Sequence, residues 1–497
     1  MTDPAVATTT APTAAVPNTA PDAAGTKLVI SLLLVSAFVV ILNETIMGVA
    51  LPHLMVDLSI TASAAQWLTT AFMLTMAVVI PITGFLLQRF NTRPVFLAAM
   101  TLFSLGTLIA AIAPGFEVLI VGRVVQAMGT AIMMPLLMTT VMTLVAPAAR
   151  GKTMGNISIV ISVAPAIGPT ISGLILSVLD WRWMFILVLP IALGSLALGA
   201  ARIKNVTTPT KVPLDVVSVI LSAFGFGGLV YGLSNLGESA TGSAAAGLVP
   251  LGIGLVAIGL FVWRQLALQR RDRALLDLRT FVSRTFSLSI VMLVVSMMAL
   301  FGTLILLPIY MQNVLGLDAL TTGLLLLPGG LTMGLLSPFV GRFYDRFGPT
   351  VLLVPGAIIV SGAFWFMTML TASTPFWWVL VAHVALSFGL AFLFTPLFTS
   401  ALASLRPGLY SHGSAVVGTA QQLAGAAGTA LFITVMSSTA ATQMAAGAGE
   451  VAATATGIQA AFLYGAIISL FAIPLAFFIR KPAVSVTDGH DAPLMAH

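Results

Sequence analysis

The chain has 497 residues, of which 59% are hydrophobic and only 7% charged, with no cysteine and a formal net charge of +6. Soluble domains carry roughly 25% charged residues, so a water-soluble fold is excluded, and the missing cysteines exclude disulfides and thiolate metal sites. The positive charge does not point to nucleic acid, because it falls in short loops between long apolar runs.

Residues 1–26 are rich in Ala, Thr and Pro and contain no Lys or Arg. The basic start of a signal peptide is therefore missing, and the segment reads as a disordered cytoplasmic tail. Fourteen apolar runs follow, each long enough to cross a hydrocarbon core of about 30 Å as a helix. They lie near 28–51, 65–87, 94–113, 117–143, 153–178, 183–201, 214–235, 245–264, 285–310, 320–340, 350–371, 376–402, 413–438 and 458–479. Spans 12 and 13 are interrupted by Gly and Pro, which membrane helices tolerate. The alternation of an outer-membrane barrel is absent. Residues 482–497 form a second polar tail. The expected fold class is an all-α polytopic membrane protein.

Loop charge tests this count. With the N-terminus in the cytoplasm, nineteen of the 21 Lys and Arg fall in inner segments, and the exceptions are Arg182 outside and Arg123 within span 4. The outer loops hold Asp57, Glu117, Asp180, Glu238, Asp318 and Glu450. One wrong span would invert this pattern downstream, so charge supports fourteen spans with both termini inside.

An internal repeat sets the domain organisation. Gly84-Phe-Leu-Leu-Gln-Arg-Phe90 follows span 2, and Gly341-Arg-Phe-Tyr-Asp-Arg-Phe-Gly348 follows span 10. Each joins the second and third span of a six-span block. The expected domains are an N-terminal six-helix bundle at 27–202, two inserted spans at 203–264, and a basic loop with a C-terminal six-helix bundle at 265–481. Two parallel six-span halves about a membrane-normal axis are a transporter plan. The inserted spans have few polar residues and are expected to be peripheral.

Two charges are embedded in this apolar background. Glu44 is the one acid well inside any span, and Arg123 is the one base not near a span end. Ionisable residues inside hydrocarbon are costly and mark functional sites by default. Glu44 reads either as a proton carrier, neutral when dry and charged when wet, or as a permanently protonated helix contact. Arg123 reads either as the electrostatic control of that site or as a static tie to backbone carbonyls. Gln126, three residues on, shares its face. The residues leave open whether Glu44 and Arg123 meet.

Four strings then carry a resemblance. Leu42-Asn-Glu-Thr-Ile-Met-Gly-Val-Ala-Leu-Pro52 on span 1, Arg123-Val-Val-Gln-Ala-Met-Gly129 on span 4, Gly168-Pro-Thr-Ile-Ser-Gly173 on span 5 and Asp180-Trp-Arg-Trp-Met-Phe185 entering span 6 occur in order. Together they resemble the major facilitator superfamily, and within it the fourteen-span drug:proton antiporters. The resemblance implies a major facilitator fold of two six-helix bundles plus two inserted central helices. It implies proton coupling at Glu44 and Arg123, with Asn43 and Gln126 as supporting polar groups. It also implies an antiporter bend in span 5 at Pro165, Gly168, Pro169 and Gly173. The gate loops would be Gly84 with Arg89, and Gly341 with Asp345, Arg346 and Gly348.

The chain departs from the family pattern in two places. Asn43 stands where the family usually has Asp, and the acid comes one residue later, a turn of about 100° on a helix. The first gate loop has Gln88 where the family usually has Asp and Asn91 where it has Gly, so a charged latch is expected in the C-terminal half.

Other residues have blander readings. His383 titrates near neutral pH when unperturbed, but on an apolar span it reads first as a hydrogen-bonded packing residue. His53 and Asp57 are expected to be solvated at an outer rim. Trp181, Trp183, Trp377 and Trp378 fit an aromatic belt. Trp67, Phe72, Met73 and Phe301 suit either core packing or an adaptable cavity. Arg150-Gly-Lys-Thr153 resembles the end of a phosphate loop but lies between two spans, not between a strand and a helix.

The expected function is proton-coupled export of drug-like amphipathic or cationic small molecules through the cell membrane, giving multidrug or antibiotic resistance. An exporter of an endogenous metabolite or self-made antibiotic on the same scaffold is the alternative, and a membrane enzyme or sensor the remote one. No cofactor is expected beyond the proton as coupling ion, and no metal. Expected partners are the small-molecule substrate, protons and the lipid bilayer, with no nucleic acid; a periplasmic adaptor stays open.

Overall fold

The structure, a computed structural model, describes residues 23–205, 209, 213–238 and 245–480. The expected tails fall outside these residues, apart from residues 23–26, which start the first helix. Among the described residues there is no strand, and fourteen helices are long and apolar enough to cross a membrane. They are α1 (Ala23–Asp57), α2 (Ala62–Arg89), α3 (Thr92–Ala111), α4 (Phe116–Leu144), α5 (Arg150–Val178), α6 (Trp183–Arg202), α7 (Val216–Glu238), α8 (Ala245–Leu268), α9 (Arg284–Ile309), α10 (Ala319–Phe347), α11 (Thr350–Met367), α12 (Phe376–Ala403), α13 (Tyr410–Ala445) and α14 (Glu450–Phe478). The α12 and α13 helices run unbroken, because neighbouring helices shield the backbone where Pro396 removes a donor.

Packing repeats with an offset of eight helices. The pairs α3–α4, α2–α4, α1–α5, α3–α6 and α1–α6 recur as α11–α12, α10–α12, α9–α13, α11–α14 and α9–α14. The two bundles meet along two seams, α5 against α10 and α2 against α13, which the same offset interchanges. Helix ends sort by charge. One end of the bundle carries Arg89, Arg150, Arg202, Arg264, Arg284 and Arg346, and the other Asp57, Glu117, Asp180, Asp318 and Glu450; these are called the basic and acidic ends below.

The inserted pair is only half peripheral. The α8 helix turns an apolar face outward, with Ile253, Val256, Leu260 and Trp263 exposed. The α7 helix instead packs against both α2 and α13 and so covers the seam between the bundles. Hydropathy shows how apolar a helix is but not whether lipid or protein covers it.

Two aromatic expectations change as well. Trp181 is 2% exposed and its Nε1 donates to Asp57 at 2.7 Å. Arg182 donates to Asp180 at 2.9 Å, lies 3.6 Å from Asp57 and stacks 4.3 Å over the Trp181 ring. This string ties the α5–α6 corner to the end of α1 and does not anchor in lipid. Trp183, Trp377 and Trp378 are exposed.

Candidate functional site

The α4 string builds the site through its glycines. A Cβ at Gly122 would come within 2.8 Å of the Ala110 backbone nitrogen, and one at Gly129 within 2.6 Å of that of Phe103. Glycine at both positions lets α4 lie directly on α3. Gln126, between them, donates from Nε2 to Thr107 Oγ1 at 2.8 Å, and Thr107 donates onward to the Phe103 carbonyl.

Arg123 is 1% exposed. Its Nη1 donates to Gln126 Oε1 at 2.6 Å and to Asn43 Oδ1 at 3.2 Å. The Phe72 ring from α2 lies 4.1 Å under the guanidinium. The Nε of Arg123 is buried without a hydrogen-bond partner. A buried guanidinium is thus held by two neutral amides and a π-face, contributed by α1, α4 and α2. An aromatic face stabilises a desolvated cation by about 2 kcal/mol or more.

Glu44 stands one position further round α1. Among the described residues its side chain makes no ion pair or hydrogen bond, although it is near enough to Arg123 to interact electrostatically. It lies deep in the bundle, yet part of its surface is uncovered. The one-residue displacement therefore has a visible consequence: Asn43 takes the hydrogen bond from Arg123, and the carboxylate beside it stays uncommitted.

The α5 string meets α1 at the next residue. A Cβ on Gly168 would collide with Thr45, whose Oγ1 donates to the Leu42 carbonyl at 2.9 Å and reaches the Ala164 carbonyl at 3.4 Å. Pro165 is half-buried within α5, and Pro169 is helical, its side chain outside the described set. Gly173 is exposed, and a Cβ there would meet nothing within 4 Å. The structure joins Gly168, and not Gly173, to the Glu44 region. Gly168→Val is expected to destabilise the protein by about 2 kcal/mol through overpacking and to depress export. Gly173→Ala should be near neutral in both, and thermal melts with transport assays on the two variants would check this.

The gate loops occupy equivalent places at the basic end but work differently. Asp345 accepts from the Gly151 and Lys152 backbone N–H groups, both at 2.8 Å, at the first turn of α5. That is where a helix dipole favours an anion. Arg150-Gly-Lys-Thr153 thus receives a carboxylate from α10 and is no nucleotide loop. Gly341 and Gly151 lie backbone to backbone beneath this latch. Gly348 ends α10 at φ +82°, a conformation that favours glycine. Arg346 is exposed, its guanidinium over the Phe347 ring at 5.0 Å, and takes no part in the latch.

On the other seam Gln88 stands where Asp345 does and donates to the Gly408 carbonyl at 3.2 Å. Gly84 faces His412, with room for a Cβ only 3.2 Å from Nδ1. Arg89 is half-buried at the end of α2. Away from both gates, His383 is 6% exposed and its Nε2 lies 3.1 Å from the Leu326 carbonyl, a packing role. Thr107 and Phe72 complete the Arg123 shell without having been singled out for it. Thr107 carried a faint signal as a polar residue within an apolar span.

Comparison with known proteins adds a family and a fold. The family model described as Major Facilitator Superfamily matches residues 33–429. The lincomycin resistance protein LmrB of Listeria monocytogenes is 42% identical over 458 residues, covering 91% of this chain and 96% of that one. LmrB of Bacillus subtilis is 39% identical over 472 residues, covering 92% and 96%. The crystal structure of the human organic anion transporter MFSD10 superposes with a TM-score of 0.65 at 15% identity, covering 91% of this chain and 99% of that chain.

Proposed function

This chain belongs to the Major Facilitator Superfamily, and on that premise we propose that it exports drug-like amphipathic or cationic molecules, lincomycin among them, in exchange for protons. The basic end and both termini lie in the cytoplasm, and the protein sits in the cell membrane. The relatives' resistance to lincomycin supports the substrate class. The observation that carries the coupling is the division of labour on α1, where Asn43 holds Arg123 and the adjacent Glu44 is uncommitted.

Arg123 has neutral hydrogen-bond partners, so proton gain or loss at Glu44 breaks no ion pair. The cost of charging Glu44 changes with how far the site is open to water. Alternating access is a rocking of α1–α6 against α9–α14 about the two seams. Each proton moving inward across 100 mV contributes about 2.3 kcal/mol. The transporter performs no covalent chemistry and needs no cofactor besides the coupling proton.

The test is lincomycin or dye accumulation in inverted vesicles under an imposed pH gradient. Glu44→Gln is expected to lose gradient-driven accumulation by at least about tenfold, or 1.4 kcal/mol, while still binding substrate. Undiminished accumulation would remove Glu44 as the coupling site.

A further inference from the structure

The linker after α8 is a built element with its own buried polar network. Arg264, near the end of α8, holds Asp215, just before α7, through two hydrogen bonds of 2.6 and 2.7 Å. The Arg264 guanidinium keeps the Asp215 carboxyl well below the usual carboxylate range, so this pair stays charged at neutral pH. Asp215 also accepts from Ser218 Oγ at 2.5 Å, and Ser218 accepts from Gln265 Nε2 at 2.7 Å. Gln265 is fully buried, and its Oε1 accepts the backbone N–H groups of Leu275 and Leu276 at 2.8 and 3.2 Å. One glutamine thereby folds the linker back under the bundle, where Leu275 and Leu276 join the main core.

The folded linker reaches the weaker gate. The His412 ring on α13 faces the Leu275 backbone, with Asp277 and Arg279 close by, and its other side faces Gly84 on α2. This is the seam that has the neutral Gln88 latch in place of a carboxylate on a helix N-terminus. It is also the seam that α7 covers along its length, with Gly227 against Leu74 and Val78, and Tyr231 5.7 Å from Trp67. A hydrogen bond to a charged group is roughly twice as strong as one between neutral groups. The α2–α13 seam thus has a neutral Gln88 contact where the other seam has the Asp345 carboxylate, and it has α7 laid over it.

We infer that the inserted pair and its linker are a clamp that holds the basic end closed, with Gln265 as the positioning residue that ties the linker beside His412 to α7, the helix that spans α2 and α13. Opening the basic end must then displace the linker from His412, or carry it off with one bundle. The inference rests on the rocking motion but not on proton coupling, and it is tested without a gradient or substrate.

The chain has no cysteine, so single thiols report cleanly. Ala415→Cys places one on α13 opposite Gly84, and Ser337→Cys places one on α10 opposite Gly155, both fully buried at the basic end of their seams. Maleimide labelling of each is compared in purified wild-type-like and Gln265→Leu protein. Gln265→Leu is expected to raise labelling about tenfold at both sites, because the linker loses its anchor and both seams open together. Unchanged labelling at both sites overturns the clamp. Faster labelling at Ala415→Cys alone also overturns it, since that marks local fraying and not a shift of the whole molecule. Asp215→Asn weakens the same network from its rim and is expected to produce a smaller rise at both sites; it serves if Gln265→Leu fails to fold.

Discussion

Arg123→Met is expected to fold and to melt within a few degrees of the natural protein, yet to lose gradient-driven export by at least tenfold, about 1.4 kcal/mol. Two effects oppose each other in stability. Removing the guanidinium leaves Asn43 Oδ1 and Gln126 Oε1 without their donor, at about 1–3 kcal/mol each. It also removes a buried cation whose desolvation costs several kcal/mol and whose Nε finds no partner. Methionine fills a similar length and still packs on Phe72. The effects nearly cancel in folding and do not cancel in transport, because the positive charge beside Glu44 is gone. Arg123→Lys keeps that charge but loses the planar guanidinium that lies over Phe72 and whose Nη1 joins Asn43 to Gln126, so it should fall between the two. Transport in inverted vesicles with parallel thermal melts checks all three, and normal export by Arg123→Met would reduce the residue to packing.

Asp345→Asn is expected to open the α5–α10 seam at the basic end. The carboxylate makes two charge-assisted hydrogen bonds to the start of α5, and such bonds contribute about 1.5–3 kcal/mol each. An amide retains one acceptor oxygen, loses the charge that the helix N-terminus favours, and turns an N–H group toward a donor. A net loss of about 2 kcal/mol shifts the closed-to-open ratio about thirtyfold. Labelling of a cysteine at Ser337, buried opposite Gly155, should quicken by between ten- and thirtyfold. Gln88→Leu, at the equivalent place on the other seam, removes one neutral hydrogen bond of about 1 kcal/mol and should change labelling by about fivefold. Equal effects from the two substitutions would refute the asymmetry between the latches.

The spans, their number and the repeat were legible in the sequence because their causes are local. A bilayer of fixed thickness demands an apolar run of fixed length, and Gly84 and Gly341 open matching strings whatever surrounds them. The sequence also located the asymmetry between the gates, since Gln88 and Asp345 differ in charge by inspection. It marked Glu44 and Arg123 because any ionisable group in an apolar run stands out. It misread Trp181 and α7, because an apolar or aromatic surface looks the same whether lipid or protein covers it.

Tertiary structure decided which side chains meet. That Arg123 bonds Asn43 and leaves Glu44 uncommitted depends on how α1 is rotated against α4, which the glycine contacts of α4 with α3 and the Gly168–Thr45 contact help to set. That Gln265 captures the Leu275 and Leu276 N–H groups depends on the linker turning back beneath α13. Hydropathy belongs to one helix at a time and is written in the chain. Rotation and partner choice arise between helices, where close packing of small residues fixes them.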